Sequence, residues 1–152
     1  MRLLPHIEKQ PQSELEWFGA LVSLTRYLRG PEGCPWDRKQ TARSFARFVR
    51  EEAEELLEAF EQDNESVAEE WGDTFFTLLA TAAAAEEQGI FTISNALDRV
   101  HEKMVGRHGH IFGDRTAETP EDVVNLWHEA KAREKAGKEA PSSTPGPCPE
   151  QQ

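Results

Sequence analysis

The chain has 152 residues and a mass of 17.2 kDa, the size of one domain able to bury its own core. Its 17 Lys and Arg against 28 Asp and Glu give a formal net charge of −11, which argues against a general nucleic-acid binder, whose phosphate affinity rests on clustered cations. Cys34 and Cys148 stand far apart and offer neither zinc-ligand spacing nor a disulfide framework.

The longest uncharged run in the middle of the chain, Thr74–Ala85, has 12 residues. A membrane span needs roughly 20. The N-terminus lacks the pattern of a signal peptide. The expectation is a cytoplasmic protein with no membrane partner.

In chain order, residues 1–12 read as a flexible lead-in. Ser13 with Glu16 fits a capping box, and Trp17, Phe18, Leu21, Leu24 and Leu28 recur at helical spacing until Gly30-Pro31. A loop is expected over 30–40. A second helix follows over about 41–62, and a third over about 66–88, ended by Gly89. A fourth is expected over about 94–107, then a loop, HGHIFGDRTAE. Thr119 caps a last helix with Pro120 at its first position, where proline is favoured. From 137 to 152 the chain is polar and Pro-rich and is expected to stay disordered. The fold class is thus all-α: a bundle of about five helices over residues 13–136, with no convincing strand alternation.

The second helix carries the informative anomaly. Phe45, Phe48, Val49, Ala53, Leu56 and Phe60 define its apolar face, and at about 100° per residue Glu52 falls in the middle of it. Glu55 and Glu51 lie on one flank of the same side. A carboxylate aimed at a core must be paired or expelled. The third helix is apolar nearly all round from Phe75 to Ala85 and is expected to be buried, yet Glu70, Asp73, Thr74, Thr77 and Thr81 share one polar stripe. Glu52 with Glu55, and Glu70 with Asp73, are each spaced i, i+3, so each pair lies on one helix face. The natural meeting is one pair against the other.

Four carboxylates at close range must gain protons or hold cations. An all-oxygen set suits Mg²⁺, with Mn²⁺ as a substitute, and hydrated Mg²⁺ suggests a phosphate substrate. A second reading stays open: EEAEELLEAFE is also what a solvated acidic helix face looks like. A di-iron centre of ferritin type needs Glu-x-x-His pairs, and none of the five histidines has one.

Several ordered blocks complete the picture: GCPWD at 33–37 followed by Gln40-Thr41, EEAEE at 51–55, EEWGD at 69–73 and KMVGRHGHIFGD at 103–114. In these the chain resembles the MazG-like nucleoside triphosphate pyrophosphohydrolases of the all-α type, in their single-domain form or the N-terminal half of the two-domain form. Two positions depart from the family pattern: Gly109 stands where proline is usual, and Trp71 where an aliphatic residue is commoner.

The resemblance implies Mg²⁺-dependent cleavage of a nucleoside triphosphate between the α- and β-phosphates, giving a nucleoside monophosphate and pyrophosphate. It implies Glu52, Glu55, Glu70 and Asp73 as metal ligands. Glu51 and Glu52 would be the catalytic carboxylates, Glu51 as the candidate to orient or deprotonate the attacking water. Substrate contacts would come from Lys103, Arg107, His108 and His110, and from Trp36 and Lys39 in the 30–40 loop. Two local readings stay open beside these. Lys103 and Arg107 also suit the negative end of a helix, and Trp36 either stacks on a base or anchors its loop.

A third helix this apolar needs cover on every side, so a homodimer or a pair of dimers is expected. The alternative function is a non-catalytic helical module that binds nucleotides or serves as an adaptor or regulator.

Overall fold

The computed structural model describes residues 9–62 and 65–139. The expected lead-in before residue 9 and the Pro-rich tail from 140 onward, Cys148 included, lie outside the described residues. The chain divides into two compact units, Met1–Ala96 and Leu97–Gln152. Every element assigned is helical, and the protein is all-α.

The first unit holds α1 (Glu14–Arg29), α2 (Pro35–Lys39), α3 (Ala42–Glu61), α4 (Val67–Glu87) and the start of α5 (Ile93–Arg107). The ends follow from local chemistry. Ser13 Oγ accepts the Glu16 N–H at 3.2 Å, and Glu16 Oε2 accepts the Ser13 N–H at 3.2 Å, the reciprocal bonds of a capping box. Thr41 and Ser44 exchange the same pair of bonds ahead of α3. After α4, Gly89 takes φ +66°. Its N–H reaches the Glu86 carbonyl at 3.1 Å and the Ile90 N–H reaches the Ala85 carbonyl at 2.9 Å. Those two bonds make a Schellman motif, which glycine adopts without a steric penalty.

The expected 30–40 loop contains a helix, α2, with Pro35 at its first position. Its glycine is fixed by space: a Cβ on Gly33 would overlap the backbone carbonyls of Tyr27 and Leu28. The Cys34 N–H then bonds the Leu28 carbonyl at 2.7 Å, satisfying the open end of α1.

α4 is the centre of the first unit. α3 packs along it antiparallel, through Phe45 with Ala80 and Ala84, backed by Ala42 and Phe48. The small residues let the two backbones approach closely. α1 runs parallel to α4: Phe18 meets Phe75 with ring centroids 6.1 Å apart, Arg26 pairs with Glu86 at 2.9 Å, and Arg29 with Glu87 at 2.6 Å.

The expected burial of the apolar run on α4 holds only in part. Leu79, Ala80 and Ala82 to Ala85 are buried, whereas Leu78 is exposed, because α1 and α3 leave that side of the helix open.

The second unit continues α5 and adds α6 (Gly109–Phe112) and α7 (Pro120–Glu139). α6 lies in a stretch expected to be a loop, and α7 runs to Glu139, past the expected start of the tail at 137. Thr119 caps α7: its Oγ1 accepts the Asp122 N–H at 3.2 Å, and Asp122 Oδ2 accepts the Thr119 N–H at 3.0 Å. A hydrogen bond with the Thr119 side chain, then those from the Glu118 and Thr119 N–H groups, hold the Asp122 carboxyl below its usual value of 3.8. Arg107 forks onto Glu134 at 2.9 and 2.7 Å and lies over the Trp127 ring at 4.7 Å, joining α5 to α7.

Candidate metal centre

The face of α3 that meets α4 runs Phe45, Phe48, Glu52, Leu56, Ala59, one residue per turn. Glu52 stands where an apolar residue would continue the row. Glu70 lies near the start of α4, and the antiparallel pairing of the two helices carries it to the level of Glu52. Glu52, Glu55 and Glu70 each offer a carboxylate oxygen, and these atoms lie within 4.8 Å of one another. Glu52 and Glu70 are half-buried, while Glu55 is exposed and keeps the cluster open to water.

Asp73 falls outside this trio and is exposed. Its charge still reaches Glu52. Burial, then the charges of Glu55, Asp73, Glu70 and Glu51, push the Glu52 carboxyl above its usual value of 4.5. Glu51 is exposed on the flank of α3.

The donor chemistry suits a hard divalent cation: all donors are carboxylate oxygens, and a bound cation relieves the repulsion among them. The threonines of the α4 stripe play no such part. Thr74, Thr77 and Thr81 return their hydroxyls to backbone carbonyls one turn earlier, at 2.8 to 2.9 Å.

Trp36 projects from α2 with 52% of its surface exposed. Its ring packs on Phe48 at 5.6 Å and on Phe45 at 6.0 Å. Phe48 precedes Glu52 by four residues, so the two share a helix face and Trp36 rests one turn from Glu52. Both roles considered for Trp36 are therefore physically available at once: one side anchors the loop and the rest of the ring is open. Lys39 is exposed at the end of α2.

In the second unit, Lys103 is exposed on α5. The Arg107 side chain is only 11% exposed, and the hydrogen bonds it donates to the Glu134 carboxylate raise its pKa further. His108 Nδ1 lies 2.6 Å from the Met104 carbonyl oxygen and its ring meets Trp127 edge-on at 5.7 Å. His110 Nδ1 is buried without a hydrogen-bond partner among the described residues.

Two residues matter to the first unit in ways the sequence does not show. Arg29 reads as one more cation in the last turn of a helix. Gly33 opens the GCPWD block, but its position there does not show what requires a glycine. Only their neighbours in space reveal what each holds.

The chain is an all-α protein that gathers three glutamates from two adjacent helices into an acidic cluster whose donors suit a hard cation. Residues 40–112 match the MazG nucleotide pyrophosphohydrolase domain, and all three glutamates lie inside that span. Residues 40–112 thus form a domain of the MazG family. It is 43% identical over 119 residues to the uncharacterized protein YabN of Bacillus subtilis (strain 168), covering 78% of this chain and 24% of that protein. It is 40% identical over 124 residues to the nucleoside triphosphate pyrophosphohydrolase/pyrophosphatase MazG of Thermotoga maritima, covering 81% of this chain and 47% of that one. Against the nucleoside triphosphate pyrophosphohydrolase of Escherichia coli (strain K12) the identity is 35% over 120 residues, covering 78% and 46%. The chain thus spans between a quarter and a half of the length of these relatives. No solved structure gives a significant match.

Proposed function

We propose that the protein is a Mg²⁺-dependent nucleoside triphosphate pyrophosphohydrolase that cleaves between the α- and β-phosphates. The observation that carries this reading is the convergence of Glu52, Glu55 and Glu70 within 4.8 Å, inside the MazG-matching segment. These three, with Asp73 beside them, would hold Mg²⁺, or Mn²⁺ in its place. The bound cation supplies a lowered pKa for water and positive charge for phosphate oxygens.

The chain's own groups have distinct tasks. Glu51, exposed at the edge of the cluster, accepts the proton of the attacking water. Trp36 offers a stacking surface to the base, a contact worth about 1–3 kcal/mol in comparable sites. Lys39, Lys103, Arg107, His108 and His110 complete the substrate contacts implied by the family resemblance, and Lys103 and Arg107 help pyrophosphate leave. Water attacks the α-phosphorus in line, the bridging oxygen departs with pyrophosphate, and a nucleoside monophosphate remains.

The reading extends to a cytoplasmic role in clearing unwanted nucleotides from the pool. Nucleic acid is not a partner on this reading, given the net charge of −11. No helix among the described residues is long and apolar enough to cross a membrane. A homodimer, or a pair of dimers, is part of the proposal. Leu57, Phe60 (62% exposed), Trp71 and Leu78 stand open on α3 and α4, an apolar surface that a second copy would cover.

One observation favours the alternative of a nucleotide-binding module without turnover. The Arg107 guanidinium is already engaged by Glu134, so its use on phosphate requires that pair to open. Pyrophosphate release from a panel of canonical, deoxy and modified triphosphates, with Mg²⁺, Mn²⁺ or EDTA, separates the two. Metal-dependent release of pyrophosphate and monophosphate supports the hydrolase. A chain that binds metal and nucleotide yet releases nothing supports the binding module.

A further inference from the structure

The side chain of Arg29 is only 4% exposed, although it carries a full charge at the end of α1. A buried guanidinium is costly unless its donors are met. Here four of its five N–H groups are used. Nε and Nη2 fork onto the Glu87 carboxylate at 2.9 and 2.6 Å, and Nη1 donates to the carbonyls of Asp37 at 2.6 Å and Gln40 at 3.1 Å. The guanidinium carbon also lies 5.9 Å from the centroid of the Phe45 ring.

These contacts converge on α2. Asp37 and Gln40 lie at its C-terminal end, where the Asp37 carbonyl accepts both the Gln40 N–H at 3.1 Å and Arg29, and the Gln40 carbonyl accepts Arg29. Phe45 is one of the two rings on which Trp36 packs. The same guanidinium therefore closes the end of α2 and braces the floor under Trp36. With only five residues, α2 is too short to hold its own shape.

We infer that Arg29 is a positioning residue for substrate: it clamps α2 to the ends of α1 and α4, and so fixes Trp36 in place for the nucleobase. This rests on the hydrolase reading and on the contact between Trp36 and the base. Arg29 does not touch the substrate. Its planar fork satisfies a carboxylate and two carbonyls together, which the single ammonium of lysine does not do in that geometry.

The test compares R29Q, R29K, W36A and E87Q in the full chain, reading KM and kcat for the best triphosphate and amide hydrogen exchange at residues 34–40. Displacement of a positioning group by about 1 Å costs up to about a hundredfold in such sites. R29Q and R29K are expected to raise KM on the order of tenfold, with kcat changing far less and the Mg²⁺-induced rise in Tm retained. Exchange at 34–40 should quicken in both. E87Q removes the ion pair but spares the bonds to Asp37 and Gln40, so its KM and its exchange at 34–40 should stay near wild type. R29Q and W36A should be non-additive in KM when combined, because one acts through the other.

Unchanged exchange at 34–40 in R29Q overturns the clamp and leaves the hydrolase reading standing. Additive effects of R29Q and W36A, or an E87Q variant as impaired as R29Q, overturn the positioning role. A wild-type chain that hydrolyses no triphosphate overturns the hydrolase reading and, with it, the substrate half of this inference.

Discussion

Glu52 on α3 and Glu70 on α4 bring carboxylate oxygens within 4.8 Å of each other across the helix pair that forms the core of the first unit. Two half-buried anions at that distance oppose folding unless a proton or a cation intervenes. On the proposed reading the pair therefore links stability to metal, and both to turnover.

The first expectation concerns Glu52→Gln. Turnover should fall by at least about a hundredfold, since even outer-sphere partners of a metal are worth about 10- to 100-fold. In metal-free buffer near neutral pH the variant should melt above wild type, because like charges have been removed. Assay and melting curves run side by side check this. A variant with full activity would remove Glu52 from the site.

Metal addition should show the same linkage from the other side. A ligand at about a hundred times its dissociation constant stabilises the native state by about 2.7 kcal/mol. Millimolar Mg²⁺ should raise the Tm of wild type, EDTA should reverse it, and Glu70→Gln should abolish it. Asp73→Asn should keep part of the effect, because Asp73 stands outside the close trio and acts on Glu52 through charge.

The dependence on pH has two opposed parts. Burial raises the Glu86 carboxyl, but the Ile93 N–H and Arg26 outweigh it and leave the group below 4.5; Asp122 is likewise held below 3.8. Depressed carboxyls stabilise the fold above their unfolded values, and that contribution is lost as pH falls through the folded ones. Glu52 is raised, so its contribution is present below 4.5 and is lost as pH rises through its folded value. Metal-free Tm should therefore pass through a maximum in mildly acidic buffer and drop in strong acid. Glu52→Gln should flatten the neutral side of that profile, and Arg26→Ala should soften the acid side.

Gly33→Ala tests the turn after α1. The added methyl would overlap the Tyr27 and Leu28 carbonyls, so backbone must shift. Overpacking of this kind costs about 1–3 kcal/mol. The urea midpoint should fall accordingly, with little change in the slope.

Arg107→Lys separates a structural from a phosphate role. Lysine keeps the charge but not the fork onto Glu134. Tm should fall without nucleotide present. A rise in KM beyond what the lost stability explains would mark a phosphate contact as well.

Much of this was legible in the residues themselves. Ser13 with Glu16, Thr119 with Pro120, and Gly89 mark helix ends through bonds that form within a few residues, so local chemistry suffices to place them. The apolar rows on α1, α3 and α4 follow from a period that tertiary contacts do not alter. The same period places Glu52 in the row that meets α4. The acidic blocks at 51–55 and 69–73 point to the same two helices through the family resemblance.

Other features depended on partners distant in sequence. The stretches 35–39 and 109–112 are too short for a periodic signal, and α2 stands because Arg29, eight and eleven residues before its two acceptors, closes its end. Arg107 and Lys103 look alike on a helical wheel, and only Glu134 and Trp127 on α7 distinguish them. That Glu55 joins Glu52 and Glu70 while Asp73 stands apart depends on the rotation and offset of α3 against α4. Those are set by how Phe45 seats against Ala80 and Ala84. The sequence by itself determined the five long helices and which carboxylates face the right way. The tertiary structure decided which of them meet, because a distance between two helices is a property of their packing and of neither helix alone.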